Sequence, residues 1–456
     1  MAENVVSKNQ EILITIKRIG INGEGIGYYK KLAVFVPFAI PGEEVVVRIT
    51  EVFDKYANAK LVRVKKESEH RIKAPCPHYE LCGGCQLQHI DYSAHGDLKR
   101  SIVMEAFDRY FDKKLNPKLF LNTITMDDPW HYRNKAKLPV RYDGEKLVTG
   151  LYSFDSNKLV YINKCDVEKE DIREAVAKVC AYLTKHQVIA YSPKSHEGVL
   201  RHLVLRSSTL TKEIQLTLIL YKKDARTIKI AKDLINIDNI VSVYYTVNDD
   251  LDSIETFGND IELIIGKETI TEKLGDYEFQ LLPTAFFQLN LEQTNKLYSQ
   301  IDKFANLKGY ENVVDGYCGV GTIGLTLSKK AKEVRGVDSN KQAIVNAIGN
   351  AQRNFVENAR FYSGNMLVNL VKWAKEGWTP DVIVVDPPRL GMELKLIHYL
   401  QEHPAKKLIY VSCNPATLAR DAKILMDANY LVKSVSGFNM FPQTEHVETL
   451  AIFERS

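Results

Sequence analysis

Residues 313–325 read Val-Val-Asp-Gly-Tyr-Cys-Gly-Val-Gly-Thr-Ile-Gly-Leu: an apolar strand, a glycine-rich turn and the start of a helix. Glycines in such a turn let the backbone approach a ligand closely at the carboxyl end of a sheet. The same grammar repeats downstream. Apolar strands at Glu333–Asp338, Arg360–Tyr362, Val382–Asp386 and Leu408–Ser412 alternate with helical stretches. Continuous apolar strands between helices predict a parallel, doubly wound α/β sheet. Two closing strands follow, Leu431–Val435 and Val447–Phe453, with no clear helix between them. This pattern starts near residue 283 and defines a C-terminal domain over 283–456.

Upstream the grammar changes. Residues 8–66 read as short alternating strands, among them Ile12–Lys17, Leu32–Pro37 and Glu44–Val52, with Gly23, Gly25 and Gly27 in the turn between the first two. That spacing predicts a small β-barrel over residues 1–66. The GEGIG run is no dinucleotide loop, since the third glycine is missing and no helix follows. The far end of the barrel is basic, with Lys55, Lys60, Arg63, Lys65, Lys66, Arg71 and Lys73. Residues 67–282 form a central α+β region. It opens with an irregular cysteine-bearing stretch. A helix over 93–111 follows, with Ile102, Ala106 and Tyr110 at i, i+4 spacing, and is expected to pack on the C-terminal domain.

In the C-terminal domain the glycine-rich turn, with Gly319, Gly321 and Thr322, is a cofactor loop, and Asp338 ends the next strand. An acidic side chain there suits the two hydroxyls of a ribose. NAD and S-adenosylmethionine (SAM) both fit that far. SAM is favoured because Asp315 precedes the loop, and because a dinucleotide needs a pyrophosphate site that SAM does not. A plain strand-to-helix turn would explain one glycine pair, but not glycines, Asp315 and Asp338 in register.

Two further motifs lie at strand ends. Asp386-Pro-Pro-Arg-Leu-Gly391 fixes an extended backbone after a strand carboxylate, suited to hold a planar base near the cofactor. Ser412-Cys-Asn-Pro415 places Cys413 at the end of a parallel strand, before a helix start that would stabilise a thiolate. An isolated cysteine is more often a small buried hydrophobe. Methylation at C5 of uracil needs such a thiol: C5 is a poor nucleophile until a thiolate adds at C6. It also needs a base for the C5 proton. Glu448 in Thr444-Glu-His-Val-Glu-Thr449 is the candidate, with Glu445 and His446 as rivals. From spacing alone, an edge-strand carboxylate in a salt bridge is the favoured reading of Glu448.

Cys76, Cys82 and Cys85 crowd one loop with Pro75, Pro77, Gly83 and Gly84, a metal-binding pattern. A fourth ligand is needed for zinc or an iron–sulfur cluster. Cys165 is the best candidate, Cys180 reads as helix core, and His78 and His89 are weaker. Spacing does not separate the two metals.

Composition sets outer limits. The chain has 456 residues, 45% of them hydrophobic, a formal charge of +4 and seven cysteines. Its pI of about 8.4 permits nucleic-acid binding without demonstrating it. No apolar run reaches membrane-spanning length and the N-terminus has no secretion signal, so a cytoplasmic protein without membrane partners is expected. Tyr132-Arg-Asn-Lys-Ala-Lys137, Arg141 and Arg201-His202 cluster cations with an aromatic, a pattern suited to phosphates and a flipped base.

Together these motifs resemble the bacterial 23S rRNA (uracil-5-)-methyltransferase family over nearly the whole chain. The carriers are Phe286-Phe-Gln-Leu-Asn290, Asp315-Gly-Tyr-Cys-Gly-Val-Gly321, Asp338, Asp386-Pro-Pro-Arg389, Ser412-Cys-Asn-Pro415 and His446-Val-Glu448. The resemblance implies a Rossmann-like class I methyltransferase domain, a TRAM (OB-like) RNA-binding barrel and a 4Fe–4S cluster on Cys76, Cys82, Cys85 and Cys165. It implies that Gln288, Tyr317, Asp338, Asn365 and Asp386 line the SAM and uracil sites. Cys413 becomes the nucleophile and Glu448 the base, reversing the salt-bridge preference. Asp338 stands where many members carry Glu, which keeps the carboxylate. The expected substrate is 23S rRNA or a ribosome assembly intermediate, the expected state a monomer, and the expected branch the Gram-positive one thought to serve two sites. The alternatives are a tRNA uracil-5-methyltransferase, a cytosine-5 enzyme (disfavoured because the Asp-Pro-Pro-Arg motif lacks a second cysteine), an amino methyltransferase, and a non-catalytic iron–sulfur RNA-binding protein.

Overall fold

The computed structural model describes residues 5–455 apart from 155, 157 and 252–255. The chain divides into two compact units, one of Met1–Asp127, Pro387–Pro404 and Leu408–Ser456, the other of Asp128–Asp386 and Ala405–Lys407.

The first unit opens with strands β1 (Glu11–Ile19), β2 (Gly25–Tyr29), β3 (Leu32–Val36), β4 (Glu44–Val52) and β5 (Tyr56–Lys66), closed into a barrel in the order β1-β2-β3-β5-β4. Alternate residues point inward, and Ile12, Ile14, Ile16, Val34, Val36, Val45, Val47 and Ala57 fill the interior. The glycines behave differently from expectation. Only Gly23, at φ 80°, lies in the turn, whereas Gly25 and Gly27 are inside β2. A Cβ on Gly25 would sit 2.6 Å from the Ala39 carbonyl, and one on Gly27 2.7 Å from that of Thr15. Glycine here permits close approach of backbones beside the bulge in the β1–β2 pairing. The first helix, α1 (Tyr92–Tyr110), starts at Asp91, whose carboxylate accepts the Ser93 N–H, and buries Ile102, Val103, Ala106 and Phe107.

The second unit carries β6 (Lys135–Tyr142), β7 (Leu147–Tyr152), β8 (Leu159–Tyr161), α2 (Glu170–Lys185), β9 (Leu200–Ser207), β10 (Ile214–Leu220), α3 (Ala225–Ala231), β11 (Ile240–Val247) and β12 (Ile261–Gly266). Their strands form one sheet in the order β12-β11-β10-β9-β6-β7-β8. The apolar stripe of α2 (Ile172, Ala175, Val179, Leu183) packs into its core. Cys180 is part of that core, as expected, and burial pushes its thiol up to about 12. A hairpin, β13 (Ile270–Leu274) with β14 (Tyr277–Leu281), leads to α4 (Leu291–Ala305). Then come β15 (Asn312–Gly316), α5 (Thr322–Ser328), β16 (Glu333–Asp338), α6 (Lys341–Arg353), β17 (Ala359–Ser363), α7 (Met366–Lys375) and β18 (Val382–Val385). β15 pairs in parallel with β16 and β18, and β16 with β17. The predicted alternation is therefore present, with β15 inside the sheet and its cofactor turn at the carboxyl end.

The first unit resumes with α8 (Leu394–Glu402), all but the first residue of β19 (Lys407–Ser412), α9 (Pro415–Met426), β20 (Tyr430–Phe438) and β21 (Glu448–Arg455). The strand order is β19-β21-β20, with β20 and β21 antiparallel. α1 packs on α9 and β20. No described helix is long and apolar enough to cross a membrane.

Candidate active site

The second unit builds the cofactor turn around three carboxylates. Beyond β15 the chain enters the left-handed region at Tyr317 (φ 63°), Gly319 (φ 54°) and Gly321 (φ 86°). The strained turn is held from the neighbouring strand: the Cys318 N–H donates to the Val337 carbonyl (3.1 Å), and the Gly319 N–H to Asp338 Oδ2 (3.0 Å). The other oxygen of Asp338 accepts the Asn340 N–H at 2.8 Å. Asp338 thus shapes the loop while keeping lone pairs that a ribose could use. The Thr322 hydroxyl is engaged with that of Tyr298 at 2.7 Å. Asn365 caps α7 by accepting the Val368 N–H, and the Gly364 N–H before it bonds to the Asp338 carbonyl. Gln288 lies on a loop tied to the start of β6, its carbonyl accepting from Asn134 Nδ2 at 3.1 Å.

Asp315 is buried. Its Oδ2 accepts the Gly324 N–H at 2.7 Å, while its Oδ1 has no hydrogen-bond partner. Burial first, then the nearby charges of Asp386 and Asp338, push its carboxyl up to about 8. Asp386 keeps some surface exposure, yet burial of its carboxyl pushes it up to about 7. Carboxyls held this far above their ordinary range need a cation before they ionise comfortably. The sulfonium and ammonium groups of SAM are cations of suitable size, so the residues present fit that cofactor.

The first unit builds the candidate nucleophile. β19 is buried from Leu408 to Val411, and Ser412 turns the chain by accepting the Asn414 N–H (3.1 Å) and donating to the Asn414 carbonyl (3.0 Å). Asn414 caps the 12-residue α9 through the Ala416 N–H, with Pro415 at the first helical position. Cys413, half-buried, therefore sits directly before a helix N-terminus, where partial positive charge favours a thiolate. The Pro-Pro-Arg segment is fastened to the same helix. The Arg389 carbonyl accepts from Asn414 Nδ2 (3.1 Å) and the Thr417 hydroxyl (3.2 Å), and the Leu390 carbonyl from Arg420 (2.8 Å).

Glu448 is the first residue of β21, opposite Phe438 and only 5% exposed. The edge position in the spacing-based reading is corrected: β21 lies between β19 and β20. Its neighbours are less enclosed, the His446 ring half-exposed and 3.4 Å from Glu445.

The cysteine loop belongs to the first unit and Cys165 to the second. The Gly84 N–H donates to Cys82 Sγ at 3.3 Å, and the N–H groups of Gln86 and Leu87 both donate to the Gln443 carbonyl. His89 is buried beside the Tyr79 hydroxyl, and burial pushes its imidazole down to about 3. Among the described residues no three His, Cys, Asp or Glu side chains are arranged to hold a metal. The expected cluster of cationic RNA contacts also needs revision. Tyr132, Lys135 and Arg201 are buried, Lys135 donating to the Pro283 carbonyl and Arg201 to Asn248. Lys137 stays exposed. Arg71 is spent on Glu43 and the Phe38 carbonyl. Spacing could not reveal that distant segments at Pro283, Asn248 and Asp250 cover Lys135 and Arg201. Two features emerge only from the structure: Phe286 is 70% exposed beside its buried neighbour Phe287, and Lys99 is fully buried.

Comparison with known proteins shows the family. A family described as tRNA (Uracil-5-)-methyltransferase matches residues 92–456, and the TRAM domain matches residues 6–62. An uncharacterized RNA methyltransferase of Bacillus cereus is 45% identical over 450 residues, covering 98% of this chain and 97% of its own length. One from Listeria innocua is 44% identical over 460 residues, covering 100% of both chains. The crystal structure of Pyrococcus abyssi tRNA (uracil-54, C5)-methyltransferase in complex with S-adenosyl-L-homocysteine is 29% identical with a TM-score of 0.75. It covers 97% of this chain and 100% of its own. The expected class I methyltransferase architecture with an N-terminal barrel is borne out.

Proposed function

This chain belongs to the tRNA (uracil-5-)-methyltransferase family, SAM-dependent enzymes acting on RNA, and from that premise we propose that it methylates C5 of uridine in 23S rRNA through a covalent bond to Cys413. The observation that carries the covalent reading is the placement of Cys413 between the end of β19 and the N-terminus of α9, fastened to the Arg389 segment. The thiolate adds to C6 and the C5=C6 π electrons move onto C5 and O4 as an enolate. C5 then attacks the methyl carbon of SAM, and the sulfonium leaves as S-adenosylhomocysteine. Glu448 takes the C5 proton, the double bond re-forms, and the thiolate departs from C6. The buried thiols of Cys180 and Cys318 are both pushed upward by burial and are unsuited to this role. The exposed ring of Phe286 suits stacking on a base drawn out of its helix. Gln288, Tyr317, Gly319, Gly321, Thr322, Asp338, Asn365 and Asp386 are assigned to the SAM and uracil sites.

The choice of 23S rRNA rests on the barrel together with the pattern of four cysteines. One observation favours the second reading, tRNA. The Pyrococcus tRNA enzyme aligns over 100% of its length, so the shared architecture serves a tRNA substrate there. Labelled methyl transfer from SAM to unmodified 23S rRNA and to tRNA, with the base mapped by mass spectrometry, separates them. We expect 5-methyluridine in rRNA; label confined to tRNA would overturn the rRNA assignment and leave the mechanism standing.

The carboxyl triad gives a pH prediction. Both Asp386 and Asp315 have folded-state values above the ordinary carboxyl range, about 7 and about 8. The folded chain holds these protons while the unfolded chain gives them up at about pH 4, so their contribution to stability falls from there and is fully lost once pH has risen through 7 to 8 and they ionise against burial. A bound cation relieves that strain, so SAM binding should tighten as pH rises from 6 to 8.5, by up to about ten-fold. Calorimetry in buffers of different ionisation heat should show proton release at pH 7. A flat affinity across this range would show that the carboxyls do not face SAM.

From the family resemblance we also propose a 4Fe–4S cluster, with zinc as the rival, on Cys76, Cys82, Cys85 and Cys165. No step of the reaction is routed through a cluster. Anaerobically purified protein should contain about four irons and four labile sulfides per chain, lost in Cys82→Ser; stoichiometric zinc instead would decide for the rival.

A further inference from the structure

Lys99 is fully buried in the middle of α1 and has no role in the steps above. An ammonium has three donors and no acceptor. All three find oxygen: Asn439 Oδ1 at 2.5 Å, the Phe441 carbonyl at 3.1 Å and the His446 carbonyl at 2.7 Å. None of these acceptors is a carboxylate, so this is no buried ion pair. Burial pushes the ammonium down to about 7, opposed by the charge of Glu445. Such a residue is costly to keep inside a protein. Every acceptor lies in residues 439–446, the helix-free link between β20 and β21, and the last is two residues before Glu448.

The rest of that link is fastened as well. The Asn439 N–H donates to the Ile124 carbonyl at 2.9 Å. Gln443, at φ 70°, turns its carbonyl onto two N–H groups of the cysteine loop. A Cβ on Gly23 of the barrel turn would meet Glu445 Cβ at 3.2 Å. Lys99 binds the link near both of its ends, at Asn439 and at His446.

We propose that Lys99 is a positioning residue for breakdown of the covalent adduct: by holding residues 439–446 it aims Glu448 at the C5 proton. The proposal rests on the reading of Glu448 as the base. Its test separates the two half-reactions in a single turnover with RNA and SAM: the rate of methyl transfer, and the rate at which denaturation-resistant methylated protein–RNA adduct disappears. Lys99→Met removes all three donors at similar length. It should slow release about 10- to 100-fold, as small misplacements of a catalytic group do, and leave methyl transfer within about three-fold. Lys99→Gln, which keeps two donors, should fall between, and carries the test alone if Lys99→Met does not fold. Lys99→Met should add no further slowing to Glu448→Gln. Unchanged release, equal slowing of both steps, or full additivity with Glu448→Gln would overturn the positioning role. Normal release in Glu448→Gln alone would instead remove Glu448 as base, a failure visible without touching Lys99.

Discussion

Replacing Cys413 by alanine is expected to abolish methyl transfer, a loss on the order of 10^4- to 10^6-fold, the scale on which covalent enzymes fall when their nucleophile is removed. The size follows from the chemistry. Without addition at C6 the uracil C5 carbon carries too little electron density to attack a sulfonium methyl group, and no other group in this mechanism supplies it. The structure makes the loss specific to chemistry. Cys413 lies in a turn whose geometry is set by Ser412, Asn414 and Pro415, so the alanine variant should keep its fold and its SAM affinity. Two measurements check this together: labelled methyl transfer to RNA, and formation of a denaturation-resistant adduct with RNA carrying 5-fluorouridine. Fluorine at C5 cannot leave as a proton does, so wild-type protein should be trapped and Cys413→Ala should not. Retained methylation in Cys413→Ala would sink the covalent mechanism and turn attention to an amino methyltransferase, which needs no thiol. Loss of transfer together with loss of SAM binding would point to damage of the fold instead, which binding measured alongside distinguishes.

How far the sequence already reveals this site depends on whether the information is local. The glycine-rich turn, Asp338, the Asp-Pro-Pro-Arg motif and Cys413 all stand at strand ends, where a period of apolar residues and one punctuating turn suffice to place them. The barrel strands are legible for the same reason. What stays hidden depends on contacts between distant segments. The elevated carboxyl of Asp315 arises from burial and from Asp338 and Asp386, 23 and 71 residues away along the chain. Lys99 in α1 reads as one more surface lysine on a helix until the link 439–446 supplies its three acceptors. Arg201 and Lys135 read as phosphate contacts because composition records charge but not what covers a side chain, and distant segments at Asn248, Asp250 and Pro283 take up both. Identity alone suggests a turn for Gly25 and Gly27, while their real constraint is the proximity of the Ala39 and Thr15 carbonyls. Glu448 shows the same limit. A carboxylate at the start of the last strand in sequence looks like an edge residue, yet antiparallel return of β21 beside β20 puts it within the sheet.

That interior placement leads to the second large effect, in Glu448→Gln. Amide for carboxylate preserves size and hydrogen-bonding reach but removes basicity, so the steps before proton removal should survive. The variant is expected to form the Cys413–C6 bond and transfer the methyl group at close to the wild-type rate. It should then stall, because the methylated intermediate can expel the thiolate only once the C5 proton has gone. General bases contribute about 10^2- to 10^4-fold, and the whole of that loss should appear in adduct release. Denaturing electrophoresis of a single turnover with methyl-labelled SAM reads this directly, as label that migrates with protein and not with free RNA. Accumulated labelled adduct would assign the base. Turnover at the wild-type rate would hand the role to Glu445 or His446, whose own substitutions then become the comparison. Loss of adduct formation would mean that Glu448 acts earlier, in organising the uracil or the thiolate. The three outcomes differ in which species carries the methyl group, so activity alone could not separate them and the position of the label can.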